Sequence, residues 1–213
     1  MNVDVVTEKV LKCFTSEKFT EELQHAKREF FEMAGIVDEE NHQFEPRMAQ
    51  FLDWYIFSRE LLSHNLSPIR YALESNEFSD DLQVNELEKL SQTKHSLFEF
   101  LKTKGNDVYV RDLFTKKKVI LEDSEISIGF NPDEIFDARI IPFEGSFVFA
   151  RGFCFHPPGA KKFILKEVKK IRHLDNSHHE ALMLRLLKMR YKLEQYKHIR
   201  MEFIYTNDPK MKI

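Results

Sequence analysis

A chain of 213 residues with 42% hydrophobic and 31% charged residues carries enough apolar surface to offset the entropy of ordering, which excludes general disorder. Two cysteines, Cys13 and Cys154, are too few for a disulfide framework or a cysteine-rich zinc site, and no apolar run approaches the roughly 20 residues that span a bilayer. The formal charge of −3 conceals a polarity: residues 1–160 hold 18 Lys/Arg against 29 Asp/Glu, a net −11, and residues 161–213 hold 14 against 6, a net +8. The opening Met1-Asn2-Val3-Asp4 lacks the basic and then apolar pattern of a secretory leader, so a cytoplasmic location is expected. Phe occurs 20 times against 6 Tyr and 1 Trp. A residue with a large apolar area and no polar atom belongs in an interior, and some of these rings are expected at a contact surface.

In chain order, Val6, Val10, Leu11 and Phe14 predict a helix over about 3–14. Ser16 is placed to cap a second helix whose inward stripe is Phe19, Leu23, Ala26, Phe30 and Met33, stopped by Gly35. A third helix, from Pro46 at its first position to about His64, is apolar on more than one side through Phe51-Leu52-Asp53-Trp54-Tyr55-Ile56-Phe57. Ser67-Pro68 opens a short helix, and another is expected from Asp80 to about Gln92.

From His95 the pattern turns to strands: about 96–101, 108–113, 119–121, 135–141 and 147–155, punctuated by Gly105-Asn106, Pro132 and Pro142. In the last of these, Phe147, Phe149, Arg151, Phe153 and Phe155 alternate with small residues. A helix over about 161–172 follows, and Ser177 with Glu180 reads as the capping box of a final helix reaching about Ile199. A short strand is expected at Glu202 to Tyr205. The fold expected is α+β: an N-terminal helical bundle over 1–93, a small antiparallel five-stranded barrel-like sheet over 94–157, and a C-terminal helical pair over 158–213, packed as one unit.

Three clusters could carry chemistry. His173, Asp175 and His178 offer nitrogen and oxygen ligands in one short segment, but capping explains the same residues and the H-E-x-x-H order is absent. Asp107, Asp112 and Glu122, near Lys116-Lys117-Lys118, would suit a metal-dependent hydrolase or nuclease if rigid strands brought the carboxylates together. The basic helices display Lys162, Lys166, Lys169, Lys170 and Arg172 on one and Arg185, Lys188 and Lys192 on the next, which could track phosphates or face solvent. Leu182, Leu186, Met189, Leu193 and Tyr196 form an apolar seam, so a homodimer through Leu186, Met189 and Leu193 is open. Phosphate-binding glycine loops and nucleophile elbows are absent, and no cofactor is expected.

Several stretches together resemble a bacterial family without assigned function. They are Phe51-Leu52-Asp53-Trp54, Ser67-Pro68-Ile69, Ser96-Leu97-Phe98-Glu99-Phe100, Val110-Arg111-Asp112-Leu113-Phe114-Thr115 and Ala138-Arg139-Ile140-Ile141-Pro142. That family has a D-W-F-like helix, a T-P-L-like helix start and S-x-F-E-V and R-D-L-x-T strands, with some members linked to a zinc-binding SEC-C motif. The likeness covers roughly residues 44–156. The chain departs from it at Ser58, where an acid is common, at Asn131-Pro132-Asp133 near an expected Gly-Asp, and in lacking a C-x-C metal segment. The resemblance implies a cytoplasmic module of helices with a small barrel, and it transfers no catalytic residue.

The function expected from these residues is a non-enzymatic binding or adaptor protein. Its partner would be nucleic acid or an acidic protein, met by the basic helices and a curved surface bearing Phe rings.

Overall fold

The computed structural model describes residues 3–37, 39–41, 43–78, 82–124 and 130–208. Their order is α1 (Val3–Phe14), α2 (Thr20–Ala34), α3 (Phe44–Phe57), α4 (Pro68–Glu74), α5 (Val84–Ser91), β1 (Lys94–Lys104), β2 (Asp107–Asp112), β3 (Lys118–Leu121), β4 (Ile135–Phe143), β5 (Ser146–Phe149), β6 (Cys154–Phe155), α6 (Lys161–Ile171) and α7 (Asn176–Gln195). The protein is thus α+β, with helices first, a curled antiparallel half-barrel sheet next and a helical pair last. The sheet runs β3-β2-β1-β4-β5, and β6 pairs with β4.

Two compact units divide the chain, and their borders differ from the three consecutive regions expected. The first comprises Met1–Phe31, Val37–Lys94 and Arg139–Gly152; the second comprises Glu32–Ile36, His95–Ala138 and Phe153–Ile213.

The first unit is built on an aromatic core. Val6, Val10 and Phe14 are the buried stripe of α1, and Phe30, Phe51, Trp54 and Tyr55 join them below 7% exposure. Tyr55 Oη donates to the Phe14 carbonyl at 3.1 Å, and burial pushes the phenol pKa up to about 12. Ser16 does not cap as expected. Its hydroxyl donates back to the Cys13 carbonyl, and Glu17–Phe19 form a separate 3-10 turn before α2. Helix α3 starts two residues before Pro46 and stops at Phe57, short of His64, because the Ser58 and Arg59 amides both donate to the Trp54 carbonyl. Ser67 and Pro68 do open α4, whereas the expected start at Asp80 lies outside the described residues.

A buried ion pair closes this unit. Arg139 Nε donates to Asp53 Oδ2 at 2.8 Å, and its other nitrogens donate to Thr93 Oγ1 at 3.2 Å and Ser58 Oγ at 2.7 Å. The guanidinium also lies 4.9 Å from the centroid of the Phe57 ring. The side chains of Arg139 and Asp53 are 4% and 8% exposed, so neither charge has water to fall back on.

The expected strand over 147–155 is two strands. After β5 the backbone leaves the ladder at Arg151 and Gly152, where a Cβ on Gly152 would sit 3.3 Å from the Gln50 Cα. Pairing resumes only at β6, with Phe155 opposite Phe136. Pro142, read as punctuation, instead lies within β4 opposite Phe147.

In the second unit, Gly35 ends α2 with φ +93°, and a Cβ there would lie 2.8 Å from Tyr191 Cδ1. Helices α6 and α7 bury Ile164, Val168, Leu182, Met183 and Leu186 with Leu97 and Ile135 of the strands and Leu113 of the turn after β2. The seam offered for a homodimer is packed within this unit. Leu186 and Met189 are 0% and 7% exposed inside this unit's own core, with Leu193 packed against it, so the seam is already occupied. Glu202 to Tyr205 does not form a strand; Met201–Phe203 make a 3-10 turn, with the Ile204 and Tyr205 amides donating to the Met201 carbonyl.

The Asp53–Arg139 pair yields a stability prediction. Arg139→Ala strands a buried carboxylate and should cost about 3–5 kcal/mol in urea unfolding, whereas the joint replacement Asp53→Leu with Arg139→Met should recover most of that loss. Equal losses in both proteins would show that the stranded carboxylate is not the source of the loss and that the intact pair with its hydrogen bonds is.

Candidate nucleic-acid interface

The site is assembled around one buried carboxylate. Asp112, the last residue of β2, is 0% exposed. Its Oδ1 accepts from Ser96 Oγ at 2.9 Å, the Phe114 amide at 2.9 Å and the Thr115 amide at 3.2 Å. This ties β1 to β2 and shapes the turn into β3, where Lys116 takes φ +62°. One residue earlier the register places Glu99 opposite Arg111. Arg111 donates to Glu99 Oε2 at 3.1 Å, and Lys161 Nζ reaches Glu99 Oε1 at 2.8 Å.

Between these strands, the turn and helix α6 opens a cleft of about 590 Å3. Arg111, Lys116, Lys169 and Arg172 line it as cations, and Glu99 is its one carboxylate. Leu113, Leu165 and Val168 supply apolar wall, with Leu165 39% exposed. The Lys161 ammonium, beside Glu99 and Asp133, is held above its ordinary pKa by the Glu99 hydrogen bond first and by both negative charges, so it stays charged.

The basic residues expected to bind divide into two sets. Lys169 and Arg172 reach the cleft, and Lys162 and Lys166 are exposed elsewhere on α6. Lys170 and Arg185 are instead spent on Glu167, at 2.5 and 2.6 Å. That carboxylate is held below its ordinary pKa: burial opposes ionisation, but donors from Lys170, Arg185 and Asn207 outweigh it. Lys188 Nζ donates to the Glu32 carbonyl at 2.8 Å, and Lys192 is half-buried and engaged.

The other two candidate clusters are not assembled. Asp107 and Asp112 stand at opposite ends of β2, five residues or about 16 Å apart along a strand. Asp107 accepts from the Asp123 amide, and Glu122 is exposed beyond the end of β3. Asp175 caps α7, accepting from the Ser177 and His178 amides and from His178 Nδ1 at 2.8 Å. Hydrogen bonds from Ser177 and His178 hold its carboxyl well below the usual range. Among the described residues no three His, Cys, Asp or Glu side chains are placed to hold a metal ion.

The N-cap of α7 is thus Asp175 rather than Ser177, and Glu180 does not close a capping box. Glu180 Oε1 accepts from His95 Nδ1 at 2.9 Å, while His95 Nε2 donates to Asp137 Oδ1 at 2.6 Å. Burial alone would lower the pKa of this imidazole. The two carboxylates, through charge and hydrogen bonds, overcome that and raise it to about 10. Nothing in the sequence linked His95, Asp137 and Glu180, since they lie 42 and 85 residues apart.

The expected Phe-bearing surface is also corrected. Among the described residues Phe203, at 37%, is the one exposed Phe, while Phe130, Phe136, Phe153 and Phe155 pack ring on ring at 5.1–6.4 Å. The aromatic at the basic surface is Tyr109, on the outer side of β2, with Lys102 and Lys118 Nζ 5.1 and 4.9 Å from its ring centroid. Sequence reasoning missed it because cross-strand register, not spacing along one element, brings these three together. No described helix is long and apolar enough to cross a membrane.

The half-barrel sheet joined to helices defines the chain as an α+β protein. Comparison places it: a model for a family of unknown function (DUF7986) matches residues 8–204, so the chain belongs to that family. No curated protein and no solved structure matches the chain.

A pH prediction follows from His95. Its folded pKa near 10 lies above the unfolded 6.5, so the stabilisation is fully present below pH 6.5 and is lost as pH rises through about 10. Unfolding free energies of the wild type from urea titrations should fall relative to His95→Gln between those values, at up to about 1.4 kcal/mol per pH unit. Parallel curves for the two proteins would show that the folded ring carries no extra proton.

Proposed function

We propose that this protein is a non-enzymatic binding protein that holds single-stranded nucleic acid by its phosphates. The observation that carries this reading is the cleft in which Arg111, Lys116, Lys169 and Arg172 converge around a carboxylate already engaged by Arg111 and Lys161. Four cations on three separate elements, a strand, a turn and a helix, give a concave surface with an excess of positive charge. Such a surface attracts a phosphate chain and gains free energy as condensed counterions are released. The local sign matters more than the overall charge of −3, because fields at a surface are screened within about 10 Å at 0.1 M salt.

The test is fluorescence anisotropy with short single-stranded RNA and DNA over a salt series. With Arg111 held by Glu99, the three remaining cations of the cleft predict a slope of log affinity against log salt of about −2. Lys169→Glu combined with Arg172→Glu should weaken binding at least roughly tenfold and flatten that slope. Absence of binding at low salt, or undiminished binding by the double variant, would overturn the reading. In the first case an acidic polypeptide becomes the better occupant, since exposed Leu165 offers it an apolar contact.

A further inference from the structure

The outer face of β1, β2 and β3 carries two rows of side chains set by strand register. Lys102, Tyr109 and Ile120 lie opposite one another in one row, and Glu99, Arg111 and Lys118 in the next. Lys102, Arg111, Lys118 and Ile120 are exposed, whereas Val108, Val110 and Leu121 of the other face are fully buried. Arg111 belongs both to the second row and to the lining of the cleft, so the two surfaces are continuous.

We propose that this face is a base platform, on which Tyr109 stacks one base of a single-stranded nucleic acid whose phosphates run past Lys102 and Lys118 into the cleft. The inference rests on the nucleic-acid reading of the cleft and adds to it the group that meets a base. Three features carry it. Tyr109 is a half-buried ring on a sheet face, fixed by its backbone pairing, and such a ring offers flat apolar area with little rotamer entropy to lose. Ile120 beside it is 38% exposed and widens the apolar area. The two ammonium groups near the ring are exposed, and cation–π contacts of that kind are weak. A base can therefore displace one of them, and the displaced lysine stays within reach of a phosphate. Charge complementarity and an aromatic face together select nucleic acid over an acidic polypeptide, which has carboxylates but few flat rings to stack.

The experiment compares two probes on the full chain: an eight-nucleotide single-stranded RNA and an abasic sugar-phosphate oligomer of equal length. Tyr109→Leu should weaken RNA binding on the order of tenfold while leaving the abasic oligomer and the salt slope unchanged. Tyr109→Phe should retain RNA affinity to within roughly twofold, because stacking needs the ring and not the hydroxyl. Circular dichroism of each variant confirms that it is folded. Undiminished RNA binding by a folded Tyr109→Leu, or an equal loss for both probes, would overturn the platform. If that variant binds RNA normally while the Lys169→Glu, Arg172→Glu protein does not, only the platform falls. If the wild type binds neither probe, the reading of the cleft falls and the platform with it.

Discussion

A carboxylate removed from water must be surrounded by donors or it costs several kcal/mol, and Asp112 meets that condition with three of them. Its bond to Ser96 ties two strands together, and its bonds to the Phe114 and Thr115 amides hold the turn that leaves β2. Much of the basic surface descends from this arrangement. Arg111 and Glu99 are the neighbours of residues that Asp112 holds in register, Lys116 stands on the turn it shapes, and Leu113 walls the cleft. A site made of long, exposed cations would otherwise scatter, because each Lys or Arg loses rotamer entropy when held in one place. Fixing the backbone beneath them reduces what remains to be ordered when a ligand arrives.

The same economy explains the short motifs. Asp53 and Arg139 are partners in one buried pair; Ser96 and Asp112 are partners in another contact. Polar residues flanked by apolar ones suggest function when read along the chain. In three dimensions four of these are structural, and their spacing reflects which strand or helix must meet which. Glu99 and Arg111 differ, since they pair across adjacent strands and still face the cleft. They are the motif residues through which the fold and its basic surface are joined.

Legibility in the sequence followed the range of the interactions involved. Helices with one apolar stripe were readable because their period is local: Val6, Val10 and Phe14 are buried as the spacing requires, and Gly35 stops α2 with positive φ. The N-cap of α7 was half readable, since Asp175 and Ser177 compete for it and Asp175 wins by accepting two amides. Glu180 was misassigned because its carboxylate pairs with the distant, half-buried His95 instead of a local amide. The final strand was overextended because alternation persists through Arg151 and Gly152 although the ladder does not. The Phe count signalled an interior, but it could not say that the aromatic beside the lysines is a tyrosine. Lys102, Tyr109 and Lys118 come from three strands, and only register makes them one feature.

The proposed binding role is in keeping with the state in which the titratable groups are held. A general base must give up and regain a proton near the working pH. His95 is locked as an imidazolium between two carboxylates and keeps its proton to about pH 10. Glu99, the carboxylate of the cleft, is already engaged by Arg111 and Lys161, so lending it to a reacting group would mean breaking an ion pair first. Asp112 has its Oδ1 filled by a hydroxyl and two amides. Beside the Glu99 pair, the cleft and the adjoining sheet face present a set of cations and one aromatic ring, the groups on which the proposed nucleic-acid reading rests.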